Sequence, residues 1–409
     1  MNCRHCNASL GNVFLDLGFA PPSNAYRTAE QLSSPEVTYP LKLLVCDRCW
    51  LVQTEDYAAP NELFDSGYAY FSSVSQTWLD HAARYCDMAR NRFSLGPKSL
   101  VIEIASNDGY LLRNFVSAKI PCLGIEPTAS TASVAEAQGI PVRRRFFTKS
   151  FAEELVREGL SADLLVGNNV FAHVPDINDF SAGLKALLKP NGTITLEFPH
   201  VMRMIEGVQF DTAYLEHFSY LSLLAASRIF ECAGLRVFDV EELPTHGGSL
   251  RVFVSHADDR RQTTDAIPRL IALEEKLGLK SHAAYRDFQS KAERIKDDLL
   301  LFLIAEKRAG RPVAAYGAAA KGNTLLNFAG VKADLLPYVC DAAPSKQGKY
   351  LPGSRIPIVP PSALRENRPG TVLVLPWNLI DEVKAQQHAV RTWGGRFAVA
   401  IPRLEIQHA

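Results

Sequence analysis

The sequence lacks an excess of charge of either sign, because its 44 lysines and arginines balance 44 aspartates and glutamates over 409 residues. A protein that binds nucleic acid through counterion release needs a basic surplus, so we expect no nucleic-acid partner. The run Arg143-Arg144-Arg145 is short, and a strand edge or a solvated face explains it better than a nucleic-acid patch.

Long apolar runs are also missing. No stretch reaches the roughly 18–20 consecutive apolar residues of a membrane-spanning helix, and residues 1–6 (MNCRHC) lack the apolar segment of a secretory signal. We therefore expect a soluble, cytoplasmic protein with no membrane partner. The sequence leaves the oligomeric state open, and a monomer is one option. Disulfides are rare in that compartment, so the eight cysteines are expected to be thiols or metal ligands.

Internal repeats and low-complexity segments are absent, but short apolar runs alternate with helical patterns through most of the chain. This alternation predicts an α/β protein whose central part is a doubly wound, mostly parallel sheet. Residues 190–192 (Pro-Asn-Gly) are predicted to form a turn between a helix and a strand, and residues 281–309 to form one long helix. The predicted strands are residues 99–104, 122–125, 163–167 and 193–198, and then 313–316, 336–340, 371–375 and 397–401.

Three regions of the chain differ in composition and pattern. Residues 1–90 hold five of the eight cysteines and many aromatic residues. Residues 91–265 carry the central alternation of strands and helices, and residues 266–409 begin with helices before the alternation resumes as a second, smaller α/β unit. We expect one domain in each region.

Two Cys-x-x-Cys pairs, Cys3 with Cys6 and Cys46 with Cys49, lie in the first region. Each pair folds two thiolates toward one point, and two pairs supply the four soft ligands that tetrahedral zinc prefers. Because four thiolates fill the coordination sphere, the site is expected to be structural. A redox dithiol or four unrelated buried cysteines are the alternatives, and the pairing of the motifs makes both less favoured.

The first central strand opens into the loop Ala105-Ser106-Asn107-Asp108-Gly109, and the next strand ends at Glu126. Small residues between a strand and a helix aim backbone N–H groups at a ligand, and an acidic residue at the second strand end can accept hydrogen bonds from ribose hydroxyls. A dinucleotide site would carry G-x-G-x-x-G, whereas this acidic loop repels pyrophosphate and suits the sulfonium and ammonium groups of S-adenosylmethionine. We therefore expect this methyl donor, with a nicotinamide cofactor or no cofactor as alternatives.

Polar segments follow the third and fourth central strands, over residues 168–175 and 211–220. Both are expected at the carboxyl edge of the sheet, where ligands bind in such folds. His217 stands next to Glu216, so it can act as a base near neutral pH. The spacing leaves equally open a loop whose histidines and tyrosines only satisfy core hydrogen bonds. Tyr68, in a Tyr-Ala-Tyr run, and His246, before two glycines, are on their own more typical of packing and of a strand edge.

The C-terminal unit carries a second loop of small residues, Tyr316 to Thr324 (YGAAAKGNT), after its first strand. Close backbone approach is possible there, and Lys321 at the start of the following helix can hold a phosphate. Asp341 at the end of the next strand can contact a sugar hydroxyl. A second nucleotide-type ligand is therefore expected, with a tight strand–helix joint and a solvated lysine as the alternative.

Taken in order, these motifs resemble the bacterial deoxysugar C-methyltransferases that act on nucleotide-linked 4-keto hexoses at C3 or C5. The resemblance covers nearly the full length and joins the two Cys-x-x-Cys pairs, the small-x-N-D-G loop, the G-I-E-P strand end, the Tyr-x-Glu-His segment, the His-Gly-Gly strand and the G-A-x-A-K segment. It implies a zinc-binding domain over residues 1–90, a Rossmann-like S-adenosylmethionine domain over 91–265, and a Rossmann-like domain over 266–409 that binds the nucleotide-sugar substrate.

The resemblance and the motifs together give a set of predicted site residues. Zinc is expected on Cys3, Cys6, Cys46 and Cys49. The methyl donor is expected at Ala105, Asn107, Asp108, Gly109, Glu126 and Asn168. The catalytic residues are expected to be His217, Tyr214, Glu216, His173 and Tyr68. The nucleotide-sugar contacts are expected to be Lys321, Asn323, Tyr316, His246 and Asp341.

The family loop usually begins Gly-Cys-Asn-Asp-Gly, so Ala105 departs from it and narrows the room beside the methionine portion of the donor. In the reaction that the resemblance implies, His217 removes a proton from the carbon next to the ketone, with support from Glu216. Tyr214, Tyr68 and His173 are candidate donors to the enolate oxygen, and the diphosphate is expected near Lys321, far from the reacting atoms. The alternatives are an O- or N-methyltransferase on another small molecule and a non-catalytic zinc-ribbon interaction protein.

Overall fold

The computed structural model describes residues 1–55, 57 and 71–408, whose strands form three sheets. The α/β class is confirmed, since helices pack on mostly parallel sheets in both the central and the C-terminal regions. Among these residues, no helix combines the length and the apolar character that a bilayer crossing demands. The domain boundaries at residues 90 and 265 stay predictions, and one helix, α1 (Gln76–Arg92), runs across the first of them.

The N-terminal sheet has four strands, and its fourth strand comes from the middle of the chain. The order is β1-β2-β3-β9, with β1 Asn12–Ala20, β2 Tyr39–Val45, β3 Val52–Thr54 and β9 Ser219–Tyr220. Strand β9 pairs antiparallel with β3, so that Val52 faces Tyr220 and Gln53 faces Ser219. The cysteine-rich region is therefore joined by backbone hydrogen bonds to the segment that directly follows His217.

The central sheet has seven strands in the order β10-β11-β8-β7-β4-β5-β6, and β4 to β8 are parallel. The strand order reverses between β4 and β7, so the carboxyl ends of these two strands border the crevice where ligands bind in such sheets. The strands are β4 Val101–Ile104, β5 Cys122–Ile125, β6 Val142–Arg143, β7 Ala162–Asn168, β8 Leu188–Pro199, β10 Leu235–Leu243 and β11 Ser249–His256.

The helices of the central region cover both faces of the sheet, and polar residues define where several of them begin. Ser75, Thr148, Asp176 and Ser222 each accept a hydrogen bond from a backbone N–H of the first helical turn. The helices after α1 are α2 Leu112–Ser117, α3 Ala129–Ala137, α4 Lys149–Arg157, α5 Ile177–Leu187, α6 Val201–Glu206 and α7 Leu223–Cys232.

The C-terminal sheet has six strands in the order β14-β13-β12-β15-β16-β17, parallel except for β17 at its edge. Its strands are β12 Val313–Tyr316, β13 Val339–Cys340, β14 Ile358–Val359, β15 Thr371–Val374, β16 Arg396–Val399 and β17 Glu405–His408. Its helices are α8 Ala266–Leu277, α9 Phe288–Arg308, α10 Ala320–Phe328, α11 Ser362–Asn367 and α12 Ile380–Gln386. Short 3-10 helices span Glu30–Ser33, Ser72–Val74, Phe171–His173, Phe210–Thr212, Thr245–Gly247, His282–Ala284, Trp377–Leu379 and His388–Trp393.

Two local predictions were wrong. The predicted turn at residues 190–192 lies inside β8, which begins at Leu188 and absorbs the extra residues in a register shift against β7. The predicted long helix begins at Phe288 instead of residue 281, because a 3-10 helix and an irregular stretch precede it. The interpretation of the arginine run agrees with the structure, since all three arginines lie at the β6 edge and pair with glutamates.

Candidate active site

The loop that follows β4 turns sharply at the carboxyl edge of the central sheet. Ala105, Asn107 and Gly109 have φ angles of 56°, 50° and 79°, all in the left-handed region. A Cβ atom at Gly109 would lie 2.4 Å from Ile140 Cδ1, so no larger residue fits there without movement. Ala105 occupies a conformation that disfavours any side chain by roughly 1–2 kcal/mol. The departure from the family glycine is therefore accommodated at a cost in backbone strain.

Two buried side chains beside this loop have polar atoms that no described residue contacts through a hydrogen bond. Asp108 Oδ2 accepts a hydrogen bond from the Ser73 backbone at 3.0 Å, whereas Asp108 Oδ1 has no hydrogen-bond partner among the described residues. Asn168, at the end of β7, is buried, and neither polar atom of its amide has such a partner. Leaving a buried polar group unpaired costs about 1–3 kcal/mol. These atoms therefore fit a bound ligand, and the carboxylate suits the cationic groups of S-adenosylmethionine.

Glu126 ends β5 and holds the loop in place. Its Oε2 accepts a hydrogen bond from Asn107 N at 2.9 Å, and its Oε1 accepts one from Thr128 N at 2.8 Å. Burial raises the pKa of this carboxyl group. Each oxygen keeps a second lone pair, so a ribose hydroxyl can still donate to it. The hydrogen bonds that Glu126 makes to the loop backbone were not predicted from the sequence, and its contact with the donor ribose stays a prediction.

His217 follows the 3-10 helix Phe210–Thr212 and precedes β9. Its Nδ1 lies 3.0 Å from the carbonyl oxygen of Thr212. A carbonyl only accepts hydrogen bonds, so Nδ1 carries the proton and Nε2 carries the lone pair. Burial, together with the nearby His173, lowers the pKa of His217 well below its usual value. The ring centroids of Tyr214 and His173 lie 3.8 Å and 4.5 Å from that of His217.

Glu216 is only 1% exposed, and its two carboxylate oxygens differ in environment. Its Oε1 accepts hydrogen bonds from both the backbone N and the side-chain Nδ2 of Asn24, each at 3.1 Å. Its Oε2 is buried without a hydrogen-bond partner among the described residues. Burial raises the pKa of Glu216, and the Asn24 donors oppose that effect. Sequence reasoning did not identify Asn24, because an asparagine shortly after two prolines is typical of a turn.

His173 lies beside these groups. Its Nδ1 is 2.6 Å from the carbonyl oxygen of Glu216 and therefore carries a proton. Burial lowers the pKa of His173 to about 4, so the ring is neutral near pH 7 and its Nε2 is an acceptor. The predicted role of His173 as a donor to the enolate oxygen requires a proton on Nε2, and it stays a prediction. Tyr68 lies outside the described residues.

Lys321 lies at the start of α10, beside Trp377 and Asn378 of the C-terminal region. Its Nζ donates to Asn378 Oδ1 at 2.8 Å and lies 4.7 Å from the ring centroid of Trp377. Burial lowers the pKa of His246 to about 4, and the next largest cause is the charge of Lys321, which also contributes to the lowered pKa of His217. The positive charge of Lys321 therefore disfavours protonation of both histidines.

The other predicted nucleotide-sugar residues have partners within the protein. Asn323 Nδ2 donates to the Ser23 carbonyl oxygen at 2.6 Å, and Asp341 accepts hydrogen bonds from two backbone N–H groups of neighbouring loops. The Tyr316 hydroxyl receives a hydrogen bond from Gln387 at 3.3 Å. His246 has a φ of 55°, and its Nε2 lies 2.8 Å from the side-chain amide of Asn169. Their substrate contacts stay predictions.

The four cysteines of the two Cys-x-x-Cys pairs come together as predicted. All four sulfurs lie within 4.8 Å of one another, and Cys3–Cys49 and Cys6–Cys46 are each 3.5 Å apart. Tetrahedral zinc with zinc–sulfur bonds of about 2.3 Å places its ligands roughly 3.8 Å apart, so this geometry fits the ion. Gln53 Nε2 donates to Cys3 Sγ at 3.2 Å. In the described part of the chain, no other cluster could hold a metal.

Known proteins are similar to this chain over nearly its full length. Family models match at residues 3–64 ("Putative zinc binding domain"), residues 78–240 ("Methyltransferase domain") and residues 244–402 ("C-methyltransferase C-terminal domain"). The chain is 34% identical over 401 residues to the C-methyltransferase NovU of Streptomyces niveus. The aligned region covers 98% of this chain and 95% of NovU.

Two other similarities are confined to part of the chain. The ubiquinone biosynthesis O-methyltransferase of Rhodopseudomonas palustris (strain BisA53) is 24% identical over 167 residues, covering 36% of this chain and 66% of that protein. The crystal structure of a SAM-dependent methyltransferase from Anabaena variabilis covers 43% of this chain and 84% of that one, with 17% identity and a TM-score of 0.36.

The full-length relative and the three family matches confirm an enzyme that uses S-adenosylmethionine, and the N-terminal match agrees with the four-cysteine cluster and the predicted zinc. A non-catalytic zinc-ribbon protein does not account for these matches. The chain belongs to the C-methyltransferase family, as a methyltransferase with an N-terminal zinc-binding region.

Proposed function

We propose that this enzyme methylates C3 or C5 of a dTDP-linked 4-keto-deoxyhexose through an enolate. The observation that carries the proposal is the state of His217, a buried neutral imidazole whose Nδ1 is committed to the Thr212 carbonyl oxygen. A C–H bond next to a ketone is weakly acidic, so its methylation requires a positioned base. The Nε2 lone pair of His217 supplies that base.

The methyl donor would be held at the β4 and β7 strand ends. S-adenosylmethionine, when bound, supplies an electrophilic methyl group. Asp108 and Asn168 offer their unpartnered polar atoms to its cationic amino-acid portion, and Glu126 accepts hydrogen bonds from its ribose. Gly109 allows the loop backbone to approach closely.

Deprotonation leaves negative charge on the sugar oxygen, and the residues around His217 can stabilise it. Tyr214 supplies a hydroxyl donor close to the base. Glu216 lies one residue from His217 and supports the imidazolium that forms when Nε2 takes the proton. His173 contributes an acceptor, suited to a hydroxyl of the sugar. A hydroxyl donor beside the base suits an enolate, because the enolate carries its negative charge on oxygen.

The nucleotide would bind along the loop between β12 and α10. Small residues line this loop, and Asp341 accepts a hydrogen bond from Ala318 N at 2.7 Å, which keeps the loop in shape. Lys321 offers a cation to the anionic part of the substrate, with Tyr316, Asn323 and His246 as further contacts. Binding energy from the nucleotide would position the sugar over His217.

The test is a mass-spectrometric assay with methyl-deuterated S-adenosylmethionine and a panel of dTDP-4-keto-6-deoxy and 2,6-dideoxy hexoses. We expect a labelled methyl group on a sugar carbon, and its position will distinguish C3 from C5. In deuterated water, the enzyme should also exchange the reacting C–H, and His217→Asn should lose both activities. Label on an oxygen or nitrogen, or no labelled sugar from folded, donor-binding enzyme, would contradict the proposal.

A further inference from the structure

The N-terminal zinc-binding region reaches into the active site through one side chain. Asn24 lies between β1 and β2, 192 positions before Glu216. Its backbone N–H and its side-chain amide both donate to Glu216 Oε1 at 3.1 Å. Two donors on one oxygen restrain the rotation of the carboxylate more than one donor does.

The other carboxylate oxygen is left for a ligand. Glu216 Oε2 is buried and has no hydrogen-bond partner in the described part of the chain. A buried polar oxygen without a hydrogen bond is costly, so Oε2 is a place where a donor group of a ligand fits. Hydrogen bonds from Asn24 also favour the ionised carboxylate, against the burial that raises the pKa of Glu216.

The segment that carries Asn24 is itself held on its other side. The Ser23 carbonyl oxygen accepts a hydrogen bond from Asn323 at 2.6 Å, and the Tyr26 hydroxyl donates to the Ala318 carbonyl oxygen at 2.6 Å. Residues 23–26 therefore lie between two parts of the chain. One is the segment of residues 211–220, which carries Glu216 and His217 and is called the catalytic segment below, and the other is the small-residue loop of the C-terminal region. Because neighbours on both sides hold it, Asn24 provides a rigid support.

We propose that Asn24 is a positioning residue, which clamps Oε1 of Glu216 and holds Oε2 toward a donor group of the acceptor substrate. The inference rests on the proposed function of Glu216 in the transfer step. It assigns the N-terminal region a part in the active site, in addition to its role in holding zinc.

The test compares Asn24→Ala and Asn24→Asp with the wild type in steady-state methyl transfer. Losing a hydrogen bond to a charged group corresponds to a fall in kcat of about 10- to 100-fold, with the KM for S-adenosylmethionine within about two-fold. Asn24→Asp places a like charge against Glu216, raises its pKa and should move the acid limb of the kcat profile to higher pH. The matched control is Asn178→Ala, because Asn178 also ties the N-terminal region to the central one, through His5 O at 2.9 Å, without touching Glu216.

A second measurement needs no acceptor. Titration of ¹³C-carboxyl-labelled glutamate by NMR, with Glu216→Gln to assign the signal, should show a higher pKa for Glu216 in Asn24→Asp than in the wild type. An unchanged pKa overturns the inference, even if no sugar in the panel is methylated. An unchanged kcat in both folded Asn24 variants overturns it as well. If the wild type methylates no sugar while the pKa of Glu216 rises as expected in Asn24→Asp, the proposed substrate is wrong and the positioning role of Asn24 is retained.

Discussion

At the residue scale, three groups of the active site share one arrangement. His217, Glu216 and Asp108 each have one polar atom hydrogen-bonded to the protein, and in the proposed function the second atom of each binds a ligand. The bound atom fixes the rotamer, and for His217 it also fixes the tautomer. All three side chains are buried, so a ligand meets groups that are already oriented and little hydrated. Such preorganised groups need little reorganisation during the reaction.

The lowered pKa of His217 predicts the pH dependence of proton removal. A histidine with its usual pKa near 6.5 is mostly protonated at about pH 6, and a base of that kind would lose about four-fold in rate between pH 7.5 and pH 6. Because burial disfavours the imidazolium, His217 stays neutral across this range, and its activity is lost only below it. We expect more than half of the pH 7.5 rate of C–H exchange to remain at about pH 6. A midpoint at pH 6.5 contradicts the assigned state of His217.

Ala105 predicts a stabilising substitution. Glycine adopts its φ of 56° without steric cost, whereas alanine pays roughly 1–2 kcal/mol there. Part of that gain is offset because glycine has more conformational freedom when unfolded. Ala105→Gly should therefore raise the free energy of unfolding by about 0.5–1 kcal/mol. Urea denaturation measures this. The comparison variant is Ala137→Gly, which lies in a helix and should be destabilising.

At the element scale, the zinc-binding region and the catalytic segment share a sheet. The Cys46–Cys49 turn leads into β3, which pairs with β9 directly after His217. Thr54 adds two contacts, since its hydroxyl donates to the His217 carbonyl oxygen and its N–H donates to the Phe218 carbonyl oxygen. A short path of hydrogen bonds therefore connects the metal site with the segment that carries His217.

Removing zinc should lower methyl transfer while donor binding persists. The donor-binding loop lies on the central sheet, and the cysteine turn lies on the N-terminal sheet. Loss of the ion should loosen β3 and β9 before it disturbs β4. Treatment with a chelator, with zinc content, kcat and S-adenosylmethionine affinity measured together, tests this, and added zinc should restore kcat. Full kcat after complete zinc loss contradicts it. Cys232→Ser, at an exposed cysteine outside the cluster, is the control.

At the scale of the whole molecule, the C-terminal region packs on the catalytic segment. Thr324 Oγ1 donates to the Ala213 carbonyl oxygen at 2.7 Å, and Trp377 Nε1 donates to Asp211 Oδ2 at 2.9 Å. Burial raises the pKa of Asp211 to about 6, and the charge of Lys321 and the Trp377 hydrogen bond oppose the shift. The segment that carries His217 is therefore held from both sides, by N-terminal and C-terminal residues.

Trp377→Phe should weaken use of the acceptor substrate without loss of donor binding. The substitution leaves the Asp211 carboxylate without that donor, which corresponds to a loss of about 10- to 100-fold in kcat/KM for the sugar. The matched control is Trp393→Phe, because Trp393 Nε1 donates at 3.0 Å to Pro369 O within the C-terminal region. Equal effects of the two variants would indicate a general loss of stability. Thermal unfolding of both proteins separates the two explanations.

Several elements of the fold were predictable because their signals are local. The strands Cys122–Ile125 and Val313–Tyr316 have the predicted bounds, since each is a short apolar run between turn residues. The Pro-Asn-Gly segment at residues 190–192 misled the analysis. Turn residues also suit an irregular strand, and the pairing of β8 with β7 on either side of this segment, at Leu188 and Thr193, shows that the strand continues through it.

The amino-acid sequence was sufficient to predict the kind of chemistry, because its signals are local. The cysteine pairs, the acidic loop with Glu126, and the Tyr-x-Glu-His segment are each compact motifs, whose residue types and spacing are set over a few positions. Such motifs predict ligand chemistry because the groups that act together are also neighbours in the chain.

How these motifs are supported depends on contacts between distant parts of the chain. Asn24 contacts Glu216 across 192 positions, β9 joins the N-terminal sheet, and Lys321 contacts Asn378. Contacts of this kind depend on how the three sheets pack, and hydrophobic burial drives that packing. The sequence therefore contains no local pattern that shows which polar residues will meet. The tautomer of His217 and the unpaired oxygen of Glu216 belong to the same class, since each follows from partners that lie on other elements.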